Sequence, residues 1–401
     1  MVCKNMNNSK NCYILFSIFL LIGVLFYDII EKYTGFSFTD EVMALIFGFY
    51  ALIQHPFQKI MKEFYICCFV FVAYLIYSFS ILINVSNAIL MDFFIQIKPY
   101  LIFYFAIMSG FCLTDKYKRI LKKMVVVYAL IFFPLGFLYL FNVQEIWEYI
   151  HPSRYSTIFV ILGFIYLYCS SKDKCSIRKS MLIWAIGLLS VKGKMFGFYL
   201  SAFFIFYILG RNRIKISFKY LLLGCLFLGG ILLICQEKIM FYFIEGSQAD
   251  VVFGRPALYI GAVDILSEYF PFGSGFGTYG TFASDMYFSP IYIRNRYLLN
   301  SQVGDGLFIS DAFYPSLAQY GYVGILLFLV FWKRRIKDAN FLFSRSHIIE
   351  YKCLLLIIIF FAIECTSDST FVQNRGMMIM LLMAMFINEG NSKYKCNLNF
   401  K

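Results

Sequence analysis

A charged side chain in or beside an apolar helix is costly, so a gathering of them calls for a partner or a function. Lys192 and Lys194 sit in the turn Ser190-Val191-Lys192-Gly193-Lys194 between two apolar runs, and Arg255, Arg294 and Arg296 fall in one long polar stretch. The planar guanidinium fork binds two oxygens at once, which makes arginine the preferred ligand for phosphate-like anions. Carboxylates accompany these cations. Asp305 and Asp311 follow the arginines, Asp28 ends one apolar run, Asp92 and Lys98 open another, and Glu364, Asp368 and Arg375 surround the last polar turn. Tyr292 and Tyr297 flank the arginine pair, and Tyr279 and Tyr314 lie on either side of it. Such rings can stack on sugar faces or anchor at a membrane interface. Snorkelling accounts for any one of these charges taken singly; it accounts less well for the whole set.

Between Arg255 and Arg294 the segment Pro271-Phe272-Gly273-Ser274-Gly275-Phe276-Gly277-Thr278-Tyr279-Gly280 spells GxGxxG. No strand–helix–strand unit surrounds it, which excludes a dinucleotide fold. What remains is a side-chain-poor loop whose backbone N–H groups can approach a ligand closely, or a turn-rich connector. Upstream, Leu258, Ala262, Ile265, Leu266 and Tyr269 recur at helical spacing and form one apolar face. Gly254-Arg255-Pro256 places proline near the first turn. The spacing predicts a short amphipathic helix lying on the membrane surface or on a helical bundle.

The elements that must position these residues are membrane spans. The chain of 401 residues is 61% hydrophobic and only 15% charged, more apolar side chain than a soluble domain of this length can cover. Judged against the ~20 residues that a bilayer requires, spans are expected at 12–30, 40–54, 64–83, 93–113, 124–141, 155–170, 180–191, 195–209, 218–236, 316–332, 348–365 and 374–388. No small-residue cleavage site follows the first, so no cleaved leader is expected. With the N-terminus cytoplasmic, most of the 36 Lys and Arg fall on inner segments and most of the 23 Asp and Glu on outer ones. The expectation is an all-α polytopic protein: one membrane domain over 1–401, about twelve helices, and both termini cytoplasmic. A large outer loop at 237–315 lies between spans nine and ten and carries the amphipathic helix. The net charge of +13 is then an insertion signal, and nucleic acid is not an expected partner. The cysteines form no CxxC and no Cys/His cluster, so no metal is expected.

The block from Gly254 to Trp332 resembles the O-antigen and capsular-polysaccharide repeat-unit polymerases. The similar features are Arg255 before the amphipathic stretch, Pro271 with Gly273, Gly275 and Gly277, then Ser310-Asp311, Tyr314, Leu317, Gly321 and Gly324 leading into a span. The turn with Lys192 and Lys194 is similar to the family's small/basic turn, with lysine where arginine is usual. The resemblance implies a glycosyltransferase of the bacterial inner membrane acting at its periplasmic face. Its substrate would be an oligosaccharide repeat unit on undecaprenyl diphosphate. A growing glycan would move from its lipid diphosphate to a hydroxyl of the next lipid-linked unit. It implies membrane lipid and a chain-length regulator as partners, and no cofactor. The leaving diphosphate needs cations, for which Arg255, Arg294, Arg296, Lys192 and Lys194 are candidates. The attacking hydroxyl needs a base, with Asp311 the first candidate and Asp305 the second. Asp311 also suits the N-cap of the following span, a compatible role. Tyr279, Tyr314, Glu364 and Asp368 are the candidates for holding sugar. An O-antigen ligase shares this architecture, but no histidine lies in the late outer loop. A lipid-oligosaccharide flippase is the alternative of a different class; many transporters show repeat symmetry between halves, and none is visible here.

Overall fold

The computed structural model describes residues 6–34, 38–54, 62–171, 173–208, 236, 240–249 and 251–398. Among them no β-strand occurs beyond one isolated parallel bridge between Val252 and Ser301. The fold is all-α. In chain order α1 (Met6–Leu20) passes through a π-turn and bends by 68° into α2 (Tyr27–Thr34), followed by α3 (Thr39–Gln54), α4 (Lys62–Ile81), α5 (Ser86–Met108) and α6 (Asp115–Leu140). Then come α7 (Pro152–Cys169), α8 (Lys174–Gly187), α9 (Gly193–Phe203), α10 (Gly254–Glu268), α11 (Gly321–Ser344), α12 (Ile348–Glu364) and α13 (Asn374–Leu398).

Among the described residues four helical segments are long and apolar enough to cross a membrane: Lys62–Ile81, Ser86–Met108, Asp115–Leu140 and Phe313–Ser344. The bent α1–α2 pair makes a fifth if it counts as one span. This is fewer than the twelve expected, for identifiable reasons. The runs at 40–54 and 180–191 fold as helices of 16 and 14 residues, short of the ~20 that a bilayer needs. The stretch at 155–170 begins on the polar turn Pro152-Ser153-Arg154. The run at 218–236 lies, but for its last residue, outside the described residues.

The burial pattern separates central from peripheral helices. Nearly every residue of α7 is buried, and so is the run Met377–Ile387 of α13. A helix apolar and buried on all sides belongs in the middle of a bundle. Helix α7 packs on α6 and α8, and α5 packs on α3 and α13. At Gly163 the α7 backbone meets the Trp184 indole so closely that a Cβ would lie 2.0 Å from Nε1; that nitrogen donates to the Val160 carbonyl at 3.1 Å. By contrast, α4 buries only Tyr74 and Ser78 and turns Phe69, Val72 and Ile76 outward.

The segment from Val252 to Ala318 has a core of its own, built on Leu258, Ile265, Tyr279, Tyr292 and Leu298. Of the predicted apolar face, Leu258, Ala262 and Ile265 are buried on α10, and Leu266 and Tyr269 are half-buried against the same core. The glycine-rich loop docks this unit on the bundle. The Gly277 N–H donates to the Asp92 carboxylate at 2.8 Å, the Phe276 N–H to Ser78 Oγ at 2.8 Å and the Gly275 N–H to the Gln319 carbonyl at 2.8 Å. Asp92 also accepts from Gln319 Nε2 at 2.8 Å. Of the two readings open from the sequence, these contacts favour the connector: the glycines permit close approach, but to α4 and α5. Gly277 has φ +71°, and a Cβ there would lie 2.6 Å from the Ala88 carbonyl oxygen. Gly277→Ala is therefore expected to cost roughly 1–3 kcal/mol in backbone strain alone and to loosen the docked unit. Limited proteolysis of the membrane-embedded protein checks this: cleavage within 251–312 should quicken while the bundle stays resistant.

Candidate functional site

Two adjoining cavities lie where the docked unit meets the bundle. The first, of about 780 Å³, is a mainly apolar groove bordered by Leu45, Phe49 and Leu52 of α3, Phe94 and Phe105 of α5, and Phe282. The second, of about 490 Å³, is polar and bordered by Asp28, Trp147, His151, Ser310, Asp311 and Asp368 among others. Arg154, Arg375, Glu31, Ser310, Ser369 and Gln373 border both. A greasy groove thus runs into a hydrogen-bonding chamber, with two guanidinium groups at the seam.

Each seam arginine is placed by a helix start. Arg154 lies in the first turn of α7, whose N-cap is His151 and whose first residue is Pro152. Its Nη1 pairs with Asp28 of α2, and Glu31, one turn further along α2, is 4.0 Å away. Arg375 is the second residue of α13. It donates to Gln373 Oε1, to Asp368 Oδ1 at 3.4 Å and to Thr157 Oγ1 at 3.5 Å.

Behind Arg375 stands a buried charge cluster. Lys194 Nζ, at the start of α9, lies 2.6 Å from Glu364 Oε1 and 2.8 Å from Asp368 Oδ2. Thr370 Oγ1 donates to Asp368 at 2.8 Å. Burial pushes the Asp368 carboxyl up, but Lys194 and Arg375 outweigh it and hold the group well below the usual carboxylate range. Two rings of the chamber wall carry cations: Lys192, outside the wall, has its Nζ 5.2 Å from the Trp147 ring centroid, and Lys32 Nζ lies 3.9 Å from that of Tyr149.

His151 titrates where stability can report it. Burial first, then the charge of Lys192, lowers its imidazole from 6.5 to about 4. The Ser153 N–H donates to Nδ1 at 3.3 Å, which leaves the ring proton on Nε2 as a donor. A folded-state pKa below the unfolded value means that the unfolded chain binds more protons in this interval. The contribution of the neutral ring is therefore full above about 6.5 and is lost as pH falls toward about 4. Thermal melts of the detergent-solubilised protein at pH 7.5 and pH 5 should differ, and His151→Gln should narrow the difference.

The structure sorts the residues singled out from the sequence into three groups. Asp311 and Asp368 border the chamber, and Arg255 holds Asp311 through Nη2 at 2.9 Å and Nε at 3.1 Å. Lys192 stands at the edge through Trp147. Others lie away from the chamber or are engaged within the protein. Lys194 and Glu364 border neither cavity and are engaged with each other behind the chamber wall. Tyr279 is fully buried and donates its hydroxyl to the Leu258 carbonyl at 2.6 Å, which removes its ring from any glycan. Tyr314 is partly buried, its hydroxyl 3.2 Å from the Phe361 carbonyl. Arg294, Arg296 and Asp305 are exposed and border neither cavity. Asp311 is not a helix N-cap either: Ala312 occupies that position before the short helix Phe313–Ser316, with no side-chain cap.

The sequence reading did not assign Arg154, Glu31, His151 or Trp147. The signal that could have found Arg154 is the one that flagged Arg255: an arginine on the outer side, against the charge trend of the short loops. Among the described residues no three His, Cys, Asp or Glu side chains are grouped so as to hold a metal ion.

Fold and site together define a helical membrane protein with two adjoining cavities, one mainly apolar and one polar, that share Arg154 and Arg375 along their border. No protein-family model matches the chain, and no curated protein matches it.

Proposed function

We propose that this protein is an integral membrane glycosyltransferase that joins oligosaccharide units carried on a polyprenyl diphosphate into a polysaccharide. In this reading it has about twelve spans, both termini in the cytoplasm, and its chamber on the periplasmic face of the bacterial inner membrane, roofed by the 237–315 loop. The observation that carries the reading is the continuity of the apolar groove with the polar chamber, with Arg154 and Arg375 at the seam. A polyprenyl tail belongs in the groove, a diphosphate at the two arginines and the sugars in the chamber. Charge-assisted contacts contribute ~1.5–3 kcal/mol each. They matter most as the diphosphate leaves, because its charge grows then. Ser310, Ser369, Gln373 and His151 supply polar contacts for sugar hydroxyls, and Trp147 and Tyr149 supply ring faces. Undecaprenyl-diphosphate-linked oligosaccharide is the proposed substrate and a chain-length regulator the proposed partner, with no cofactor.

Deleting the gene in its host, and resolving surface polysaccharide and lipid-linked glycans on gels, tests this directly. A ladder that collapses to one repeat unit is the expected result. Long lipid-linked polymer with no surface glycan would make the protein a ligase. Single units trapped on the cytoplasmic leaflet would make it a flippase, and an unchanged ladder would remove all three.

A further inference from the structure

The proposed transfer needs a group that takes the proton of the attacking hydroxyl, and the chamber walls offer a choice among carboxylates. Asp28 is paired with Arg154, Glu148 with Lys32 at 3.1 Å, Asp311 with Arg255 at 2.9 Å, and Asp368 with Lys194 at 2.8 Å. Each of these carboxylates has a cation within 3.1 Å. Glu31 differs. Arg154 stands 4.0 Å from it, the outer edge of an ion pair, and its hydrogen-bonding neighbour is the Tyr27 hydroxyl four residues back on the same helical face. It is also the only one of these five, apart from Asp28, that borders the apolar groove as well as the chamber. A diphosphate at Arg154 and Arg375 places the first sugar beside that seam.

We propose that Glu31 is the general base of the transfer, an assignment that rests on the glycosyltransferase reading above. The acceptor hydroxyl oxygen forms a bond to the anomeric carbon of the donor's first sugar. The bond from that carbon to the diphosphate oxygen breaks, and its electron pair leaves on the diphosphate, facing Arg154 and Arg375. The hydroxyl proton passes to the Glu31 carboxylate and from there to water. Asp311 then serves as a wall of the chamber fixed by Arg255, and Asp305 stands outside it.

The test uses the full-length protein in lipid nanodiscs with a synthetic polyprenyl-diphosphate oligosaccharide. Glu31→Gln should lower kcat by ~10²–10⁴-fold, the usual worth of a positioned base, and leave KM nearly unchanged. Glu31→Asp should keep part of the activity, and added formate should restore turnover to Glu31→Ala. A structural role would not produce the formate rescue. Normal kcat in Glu31→Gln, or a loss that formate leaves in place, overturns the assignment while wild-type activity keeps the functional reading. A wild-type protein that joins no units overturns the functional reading and this assignment with it.

Discussion

Arg375→Ala is expected to abolish most of the proposed polymerisation while leaving the protein folded. The two halves of that expectation come from different contacts. At the seam, the guanidinium of Arg375 donates closely to the neutral Gln373 amide oxygen but reaches Asp368 only at 3.4 Å and Thr157 only at 3.5 Å. It is therefore held in place by several partners without a short ionic contact to any carboxylate, which leaves its fork able to take diphosphate oxygens. Removing a donor aimed at developing negative charge costs about 10²–10³-fold in rate. The fold should survive because Asp368 keeps the Lys194 ammonium at 2.8 Å and the Thr370 hydroxyl at 2.8 Å. Arg154→Ala is a less clean test, because it strips the partly buried Asp28 of its partner. Arg375→Lys should recover only part of the loss, since a point charge replaces a bidentate fork. Turnover of a lipid-linked oligosaccharide in membranes, normalised to protein level and melting temperature, checks all three variants. Near-normal turnover in Arg375→Ala would remove this residue from the diphosphate site.

What the sequence made legible, and what it did not, follows from the range of the interactions. Helical period is local, so the apolar face of α10 could be read directly: Leu258, Ala262 and Ile265 are buried, with Leu266 and Tyr269 half-buried beside them. The glycine run signalled a close backbone approach, which is real, but composition does not say to what. The partner of Gly277 is Asp92, 185 residues away. The gathering of charges was legible as well, and Lys194, Glu364, Asp368 and Arg375 do meet. Their roles were not legible, because a lysine reads the same whether it faces an anionic substrate or two carboxylates of its own chain. Pairing across 170 residues decides between these, and it depends on how α9 and α12 are arranged. Arg154 and Glu31 escaped assignment for a related reason: each lies at the end of an apolar run, where a charge is ordinary, and only the meeting of α2 with α7 gives the pair meaning.

Lys194 supplies the sharpest contrast between a ligand and a counterion. Its side chain is 9% exposed and those of Glu364 and Asp368 are 5% and 15% exposed, so water cannot take the place of the ammonium. Lys194→Met keeps the length of the side chain and leaves two buried carboxylates with only Arg375 nearby. Stripping one partner from a buried ion pair costs ~3–5 kcal/mol, a large part of the ~5–15 kcal/mol that keeps a typical protein folded. The variant should accumulate poorly and melt far below wild type. Adding Glu364→Gln should restore much of the loss, because it removes the second charge while Asp368 retains Arg375. Such recovery is a coupling energy between the two positions, measurable as a double-mutant cycle on melting in detergent. A substrate ligand would behave in the opposite way: Lys194→Met would fold normally and lose turnover, and Glu364→Gln would not help it. The two 2.6–2.8 Å contacts inside the protein favour the first outcome, with Lys194 holding Asp368 where Asp368 can hold Arg375 at the mouth of the chamber.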